Sequence, residues 1–253
     1  KGIMDGKKRP VMLWLHGGGF HVGSSNDPMT YGKAMAKKGD VVFVSVNHRL
    51  NILGYLDLSA CGEKYAQSAN VGMLDIVKSL EWINKNIESF GGNPADVTIL
   101  GESGGGGKVG TLMCMPAAKG LFQKAVIQSG TLLNVMTQEK SQALGLAVLE
   151  NLGLTPADVE KLDTISYMRL VKAGNDAVAS ISGPRKPGSP TMFGIAPSVE
   201  DVVLMQQPFS PGFADFSKDI PLMIGTTLNE LMNTVYGEKD LTLEQAKKRL
   251  AKE

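Results

Sequence analysis

The feature that most constrains this chain is an apolar run that ends in a glycine-rich turn around a serine. Residues 98–107 read Thr-Ile-Leu-Gly-Glu-Ser-Gly-Gly-Gly-Gly, so an apolar strand is followed by the pattern Gly-x-Ser-x-Gly. Glycine has no Cβ to obstruct a sharp turn from a strand into a helix. The pattern therefore predicts that the Ser103 hydroxyl is presented at a strand end, where it can serve as a nucleophile.

The alternative for this segment is a glycine-rich turn in which Ser103 only caps the next helix. We favour the nucleophile because a strand precedes the serine and a helix can follow it. The adjacent Glu102 is a tempting base. In such a turn its side chain is expected to point away from Ser103, so we assign Glu102 a buried or supporting role.

A second glycine run lies upstream. Residues 16–20 read His-Gly-Gly-Gly-Phe and directly follow an apolar stretch. Three consecutive glycines leave backbone N–H groups unshielded, and such groups can stabilise a developing oxyanion. A phosphate-binding loop is the rival interpretation, but the Gly-x-x-x-x-Gly-Lys-Ser/Thr pattern is missing and Lys108 is not followed by Ser or Thr.

Strands alternate with helices along the sequence, which indicates an α/β fold with a mostly parallel sheet. Apolar runs predict strands at residues 10–15, 41–46, 97–100, 124–128 and 221–225. Periodic or helix-forming segments predict helices at residues 73–89, 106–115, 138–152 and 156–173. A capping-box pattern at Thr242 and Gln245 predicts one further helix.

One segment interrupts this alternation. Residues 182–211 contain six prolines and show neither strand nor helix periodicity. We expect a cap-like excursion on the surface, over a site rather than in the core. The length of 253 residues suits a single domain, so we expect residues 1–253 to form one α/β domain.

Composition and charge argue against several classes of function. A net charge of +1 gives no electrostatic case for binding nucleic acid or an anionic membrane. No apolar run reaches the roughly 18 residues that a transmembrane helix needs. Cys61 and Cys114 are predicted to be buried free thiols rather than a disulfide, which leaves the compartment open. The oligomeric state is not specified by the sequence.

With these motifs the chain resembles the type B carboxylesterases of the α/β-hydrolase fold, a group that includes cholinesterases and bacterial nitrobenzyl esterases. The matching segments cover nearly the whole chain: residues 14–20, 47–56, 70–75, 82–87, 90–94, 101–105, 119–125, 128–130 and 225–230. The resemblance implies a central, mostly parallel sheet covered by helices. It implies a small-molecule ester as the substrate and no metal or cofactor.

The resemblance also implies roles for individual residues. Ser103 would be the nucleophile that accepts the acyl group, and Glu230 would be the triad acid that orients a histidine. The backbone N–H groups of Gly18, Gly19 and Gly104 would form the oxyanion hole. The order of serine before acid agrees with α/β-hydrolases in general.

Three positions depart from the family pattern. The family usually has alanine where this chain has Gly104, and we expect a mild change because only the backbone is used there. It often has serine where this chain has Lys108, for which we expect a local difference in helix packing. Asn229 replaces a frequent aspartate beside the acid without touching the triad.

The histidine that this resemblance implies after the acid is missing. The three histidines are His16, His21 and His48, and all precede Ser103. For each we favour a structural or surface imidazole over a catalytic base. We therefore expect a central portion of a longer enzyme, lacking the N-terminal strands and the C-terminal part with the histidine. Such a portion would expose sheet edges and apolar surface.

Two functions follow as hypotheses. The first is a serine carboxylic-ester hydrolase that works through an acyl-enzyme. The alternative is a catalytically silent binding or adhesion protein on the same fold, of the neuroligin-like kind that typically loses the nucleophile. The particular ester is not specified. Candidate pocket residues, each with core packing as an equally strong alternative, are Phe20, Met192, Phe193, Phe209 and Phe213.

Overall fold

A five-stranded parallel sheet organises the part of the chain that the computed structural model describes. The described residues are 3, 5–130, 132, 134–182, 194–210, 212–228, 230, 242, 244 and 247. The strands, in the spatial order β2-β1-β3-β4-β5, are β1 (Arg9–Leu15), β2 (Val42–Ser45), β3 (Gly92–Glu102), β4 (Lys124–Gln128) and β5 (Leu222–Gly225). Every neighbouring pair is parallel, which confirms the predicted α/β class.

Helices connect the strands. The α-helices found within the described residues are α1 (Lys33–Gly39), α2 (Asn51–Tyr55), α3 (Val71–Asn86), α4 (Gly104–Leu112), α5 (Gln138–Asn151) and α6 (Tyr167–Ser182). The 3₁₀ segments are Pro28–Thr30, Ser59–Cys61, Glu63–Tyr65, Ser68–Asn70, Ile87–Phe90, Pro116–Ala118, Pro156–Thr164 and Asp215–Ser217. Of the predicted last helix, Thr242, Glu244 and Lys247 are described, and the rest lies outside the described residues.

The centre of the sheet lies at β1 and β3. Leu13 of β1 is aligned with Val44 on one side and Ile99 on the other, and Leu13 and Ile99 are fully buried. Parallel strands covered on both faces need continuous apolar sequence, which is why these strands could be predicted. Helices α3 and α4 both contact β3, which holds the Ser103 turn between packed elements.

Two predicted boundaries near Ser103 are wrong. Strand β3 begins at Gly92 rather than residue 97, and α4 begins at Gly104 rather than residue 106. Intrinsic propensity disfavours glycine in a helix, but here close packing overrides it. A Cβ on Gly105 would collide with the carbonyl oxygen of Leu15, and one on Gly101 would collide with the backbone of Gly105.

The single helix predicted at residues 156–173 is also wrong. The structure has a 3₁₀ segment, Pro156–Thr164, and then a separate helix, α6. Extended backbone at Ile165 separates them, and the N–H groups of Arg169 and Leu170 both bond to the carbonyl oxygen of Ser166. The apolar periodicity therefore continues from the 3₁₀ segment into α6, although the helix is interrupted at Ile165.

The predicted surface excursion at residues 182–211 needs correction. Residues 183–193 and 211 lie outside the described residues, but Ile195 and Leu204 belong to the buried core. The buried backbone of this segment is bonded, as burial requires. The Asn70 amide donates to the Ser198 carbonyl at 2.9 Å, and the N–H of Val199 donates to the Met136 carbonyl at 2.9 Å.

Strand β5 forms one edge of the sheet and carries exposed apolar side chains. Met223 is 69% exposed and Ile224 is 55% exposed. Both cysteines are free thiols as predicted, but only Cys114 is buried, whereas Cys61 is partly exposed. Among the described helices, none has the length and apolar character needed to cross a membrane.

The packing of α4 gives a stability prediction. Gly105→Ala places a methyl group against the fixed backbone of Leu15, so we expect the free energy of unfolding to fall by about 1–3 kcal/mol. Gly39→Ala, at the end of α1, is the matched control. A Cβ there would meet the Val41 side chain at 3.7 Å or more, which is an ordinary contact distance. Urea unfolding of both variants checks this. Equal stability of Gly105→Ala and wild type would contradict the packing argument.

Candidate active site

Ser103 occupies a strained turn between β3 and α4. Its φ of 54° and ψ of −121° lie where few residues with a side chain are found. The Ser103 N–H donates to the Gln128 carbonyl at 2.9 Å, and the Ser103 carbonyl accepts from the Gly107 N–H at 3.1 Å. The residue is exposed. The predicted sharp turn is therefore present.

Backbone from two neighbouring loops closes around this turn. A Cβ on Gly17 would lie 3.6 Å from the Ser103 Cβ, so the glycine run after β1 borders the serine. A Cβ on Gly130, in the loop after β4, would collide with the Ser103 carbonyl oxygen. Glycine is required at Gly130 because the two main chains approach so closely.

The three glycines predicted to donate N–H groups come together. Gly18 and Gly19 have φ of 84° and 63°, and Gly19 packs against Gly104 so closely that a Cβ on Gly104 would collide with it. Within the described chain, the N–H groups of Gly18 and Gly19 donate to no backbone carbonyl. The N–H of Gly104 is at the first position of α4, where no intrahelical acceptor exists. The N-terminus of α4 is the positive end of the helix dipole, so it adds partial positive charge beside these N–H groups.

Glu230 lies beyond the end of β5, on the same edge of the sheet as Ser103. Glu102, Gln128 and Gly225 are aligned at the carboxyl ends of β3, β4 and β5. A Glu230 carboxylate oxygen accepts the Thr227 N–H at 3.0 Å. A hydrogen bond from the Ser129 side chain lowers the pKa of Glu230, and the hydrogen bond from the Thr227 N–H lowers it further. The carboxylate is thus held in its charged form.

Ser129 is a residue that sequence reasoning missed. It follows β4 directly, has a φ of 48°, and donates its N–H to the Gly225 carbonyl at 2.8 Å. The available signal was its position after β4, because parallel neighbouring strands end at the same edge of the sheet. Its side chain supports Glu230 rather than Ser103.

Glu102 is more exposed than expected. The residue is exposed rather than buried, and a Cβ on Gly17 would lie 3.1 Å from its Oε2 atom. Partial burial of the carboxyl group raises the pKa of Glu102, and the charge of Glu230 raises it further. The charges of Glu102 and Glu230 therefore influence each other at this edge of the sheet.

Comparison with known proteins decides the family. The model of the carboxylesterase family matches residues 3–252. The chain belongs to the carboxylesterase family. The para-nitrobenzyl esterase of Bacillus subtilis strain 168 is 38% identical over 224 residues, which are 88% of this chain and 44% of that protein.

Solved structures agree with this assignment. The structure of a thermophilic para-nitrobenzyl esterase matches with a TM-score of 0.81 and 34% identity, covering 96% of this chain and 49% of that one. This carboxylesterase chain therefore has an α/β-hydrolase architecture and spans about half the length of these relatives. Mouse neuroligin-2 also matches, at 42% identity over 132 residues, which are 52% of this chain and 15% of that protein.

Two of the three histidines of this carboxylesterase chain are stacked and neutral. The rings of His16 and His48 are 4.9 Å apart and nearly parallel. Their Nδ1 atoms face the carbonyl oxygens of Gly17 and Arg49 at 2.9 and 3.1 Å. Burial lowers the pKa of both imidazoles, and the charge of Lys108 lowers it further. The pKa of His48 falls to about 4. In the described chain, neither imidazole is hydrogen-bonded to Ser103.

Lys108 does more than alter helix packing. It is fully buried, and its Nζ atom donates to the His16 carbonyl at 2.8 Å. The same atom lies 5.6 Å from the centre of the Phe20 ring. Burial lowers the pKa of Lys108 to about 7. The expectation of a local packing difference missed the contacts of Lys108 with His16 and Phe20, the residues on either side of the three glycines.

The candidate pocket residues have mixed outcomes. Phe20 is fully buried and packs edge-on against Tyr55 at 5.4 Å, so it belongs to the core. Phe209 and Phe213 pack edge-to-face at 5.1 Å and are partly buried. Met192 and Phe193 lie outside the described residues. Among the residues that are described, no group of three or more histidine, cysteine or acidic side chains could hold a metal ion.

The neutral His48 predicts acid sensitivity. Its pKa is about 4 in the folded protein against 6.5 for the free side chain, so the unfolded state binds more protons between these values. Stability from this group is complete above pH 6.5 and falls by about 3 kcal/mol as the pH drops to 4.

Urea unfolding at a series of pH values tests this. We expect His48→Gln to lose stability less steeply than wild type between pH 6.5 and 4. The control Ser180→Ala on α6 keeps the stacked pair and removes no titratable group, so it should retain the wild-type slope. Identical slopes for wild type and His48→Gln would show that His48 does not titrate abnormally.

Proposed function

We propose that the protein containing this chain is a carboxylic-ester hydrolase with Ser103 as its nucleophile. The observation that carries the proposal is the strained, exposed Ser103 beside the N–H groups of Gly18, Gly19 and Gly104, which have no hydrogen-bond acceptor among the described residues. Membership of the carboxylesterase family supports it. Because the chain spans about half of its relatives, the activity is proposed for the whole protein.

The reaction proceeds through two acyl-transfer steps. The Ser103 oxygen attacks the ester carbonyl carbon while its proton passes to a base, and the carbonyl oxygen becomes an oxyanion. Donors already aimed at that oxygen stabilise the transition state without reorganising. The carbon–oxygen bond to the alcohol then breaks, and the alcohol leaves with the proton. Water attacks the acyl-enzyme and releases the acid, which restores Ser103.

The base is proposed to be a histidine outside residues 1–253. His16 and His48 are buried, stacked on each other and bonded to main-chain carbonyls, which does not suit proton exchange with Ser103. The charged Glu230 fits the role of the acid, because a carboxylate orients the imidazole and stabilises the imidazolium that forms. Its bonds to Ser129 and Thr227 keep it ionised and in place.

A silent binding protein is the alternative, and the match to neuroligin-2 is the observation behind it. The conformation of Ser103 favours the hydrolase. A non-glycine residue with such a φ costs about 1–3 kcal/mol and persists where surrounding structure enforces it for a function. A binding protein would gain nothing from this strain or from unpaired N–H groups beside it.

Hydrolysis of p-nitrophenyl acetate by the intact protein distinguishes the two functions. We expect release of nitrophenol by wild type and by the control Ser180→Ala, whose hydroxyl donates to the Ala177 carbonyl within α6. Ser103→Ala should lower kcat by about 10⁴-fold or more, since it removes the nucleophile. If wild type and Ser103→Ala are both folded and both inactive, the result would favour the binding protein.

A second substitution tests Glu230. We expect Glu230→Gln to lower kcat by at least about 10²-fold, because a neutral amide cannot stabilise the imidazolium. Glu160→Gln is the control, since that carboxylate is exposed and paired with Lys64. Unchanged kcat in Glu230→Gln would exclude it as the triad acid.

A further inference from the structure

Two residues of α4 meet the same loop. Gly104 and Lys108 are four residues apart on α4, so they lie on one face of that helix. Gly104 packs against Gly19, and Lys108 contacts the residues that flank the glycine run 17–19. These contacts connect Gly104 and Lys108 to the position of the proposed oxyanion donors.

Lys108 contacts the glycine run at its two ends. Its Nζ atom donates to the carbonyl of His16, the residue before the run, at 2.8 Å. It also lies 5.6 Å from the ring of Phe20, the residue after the run, in a cation–π arrangement. Lys108 and Phe20 are both fully buried, so water does not compete for these contacts.

The bond to His16 also sets the direction of the next N–H group. A peptide unit is planar, and its C=O and N–H point in opposite directions. Because Lys108 holds the His16 carbonyl toward α4, the Gly17 N–H points away from that helix. Glycine residues that follow have no Cβ to fix their conformation, so an external anchor has a large effect on them.

Gly104 supplies the space that this loop position needs. A Cβ on Gly104 would collide with the nitrogen, Cα and carbonyl oxygen of Gly19. These are main-chain atoms, which cannot move aside as the end of a flexible side chain can. Alanine therefore does not fit under the loop as it lies here, and the expectation of a mild change at Gly104 is wrong.

We propose that Lys108 is a positioning residue that holds the glycine run 17–19 on the first turn of α4, and that the absence of a side chain at Gly104 makes room for it. The inference rests on the proposed function for its kinetic consequence. The loop position determines where the N–H groups of Gly18 and Gly19 lie relative to Ser103. The effect is therefore on the transition state, in kcat rather than KM.

A double-mutant cycle in the intact protein tests the coupling. With Lys108 present, we expect Gly104→Ala to lower kcat by at least about tenfold, with KM within about threefold, because a displaced oxyanion donor costs about 10²–10³. In the Lys108→Ser background the loop is released, and the same substitution should cost less than about threefold. Equal costs in both backgrounds would overturn the coupling.

Hydrogen exchange of residues 17–22, read at the His21 and Val22 amides that donate to the Gly18 carbonyl, tests the anchor without any catalysis. Lys108→Met keeps an unbranched chain against Phe20 but has no donor for His16, so exchange in this segment should quicken at least about tenfold. Thr111→Val is the matched control, because Thr111 is also buried on α4 but its hydroxyl donates to the Gly107 carbonyl within the same helix. We expect wild-type exchange at residues 17–22 in that variant.

The two measurements separate failure of the inference from failure of the proposed function. Wild-type exchange at residues 17–22 in both Lys108→Met and Lys108→Ser would overturn the anchor, whatever the activity. Faster exchange in both, with wild type inactive on esters, would support the anchor and remove the hydrolase proposal. Faster exchange also in Thr111→Val would overturn it, since loosening of α4 would then be the cause.

Discussion

The site depends on one close contact, between the first turn of α4 and the main chain at the ends of β1 and β3. Gly101 and Gly105 let helix and strands approach until any Cβ would collide with backbone. Because the helix starts this close to the sheet, Ser103 must turn through a φ of 54° to connect the two elements. The same contact places the end of β1, and with it the glycine run, beside the serine.

The charges around this contact form two groups. Next to the glycine run lie Lys108 and the stacked His16 and His48, whose pKa values are all lowered by burial. At the carboxyl edge of the sheet lie the acidic Glu102 and Glu230. We propose the N–H groups of Gly18, Gly19 and Gly104 as the donors that would stabilise a developing oxyanion beside these charges.

Sequence patterns predicted the strands well, since buried parallel strands such as β1 and β4 need continuous apolar residues. The start of α4 could not be predicted in this way, because local propensity disfavours a helix that begins with four glycines and only packing against Leu15 explains it. Motifs brought Ser103 and the glycine run to attention, and the structure brings them together. Contacts between distant segments, such as that of Lys108 with His16, have no local sequence signal.

Several features that cost stability are concentrated around this one loop. Ser103 is strained, Lys108 is a buried amine with one hydrogen bond in the described structure, and the stacked imidazoles must remain neutral. A hydrophobic residue in place of a buried cation is often neutral or stabilising, so packing alone does not explain Lys108. Proteins retain such costs mainly at functional sites, where surrounding structure enforces them. Their common location therefore argues that the geometry of the glycine run, rather than the stability of the fold, accounts for these residues.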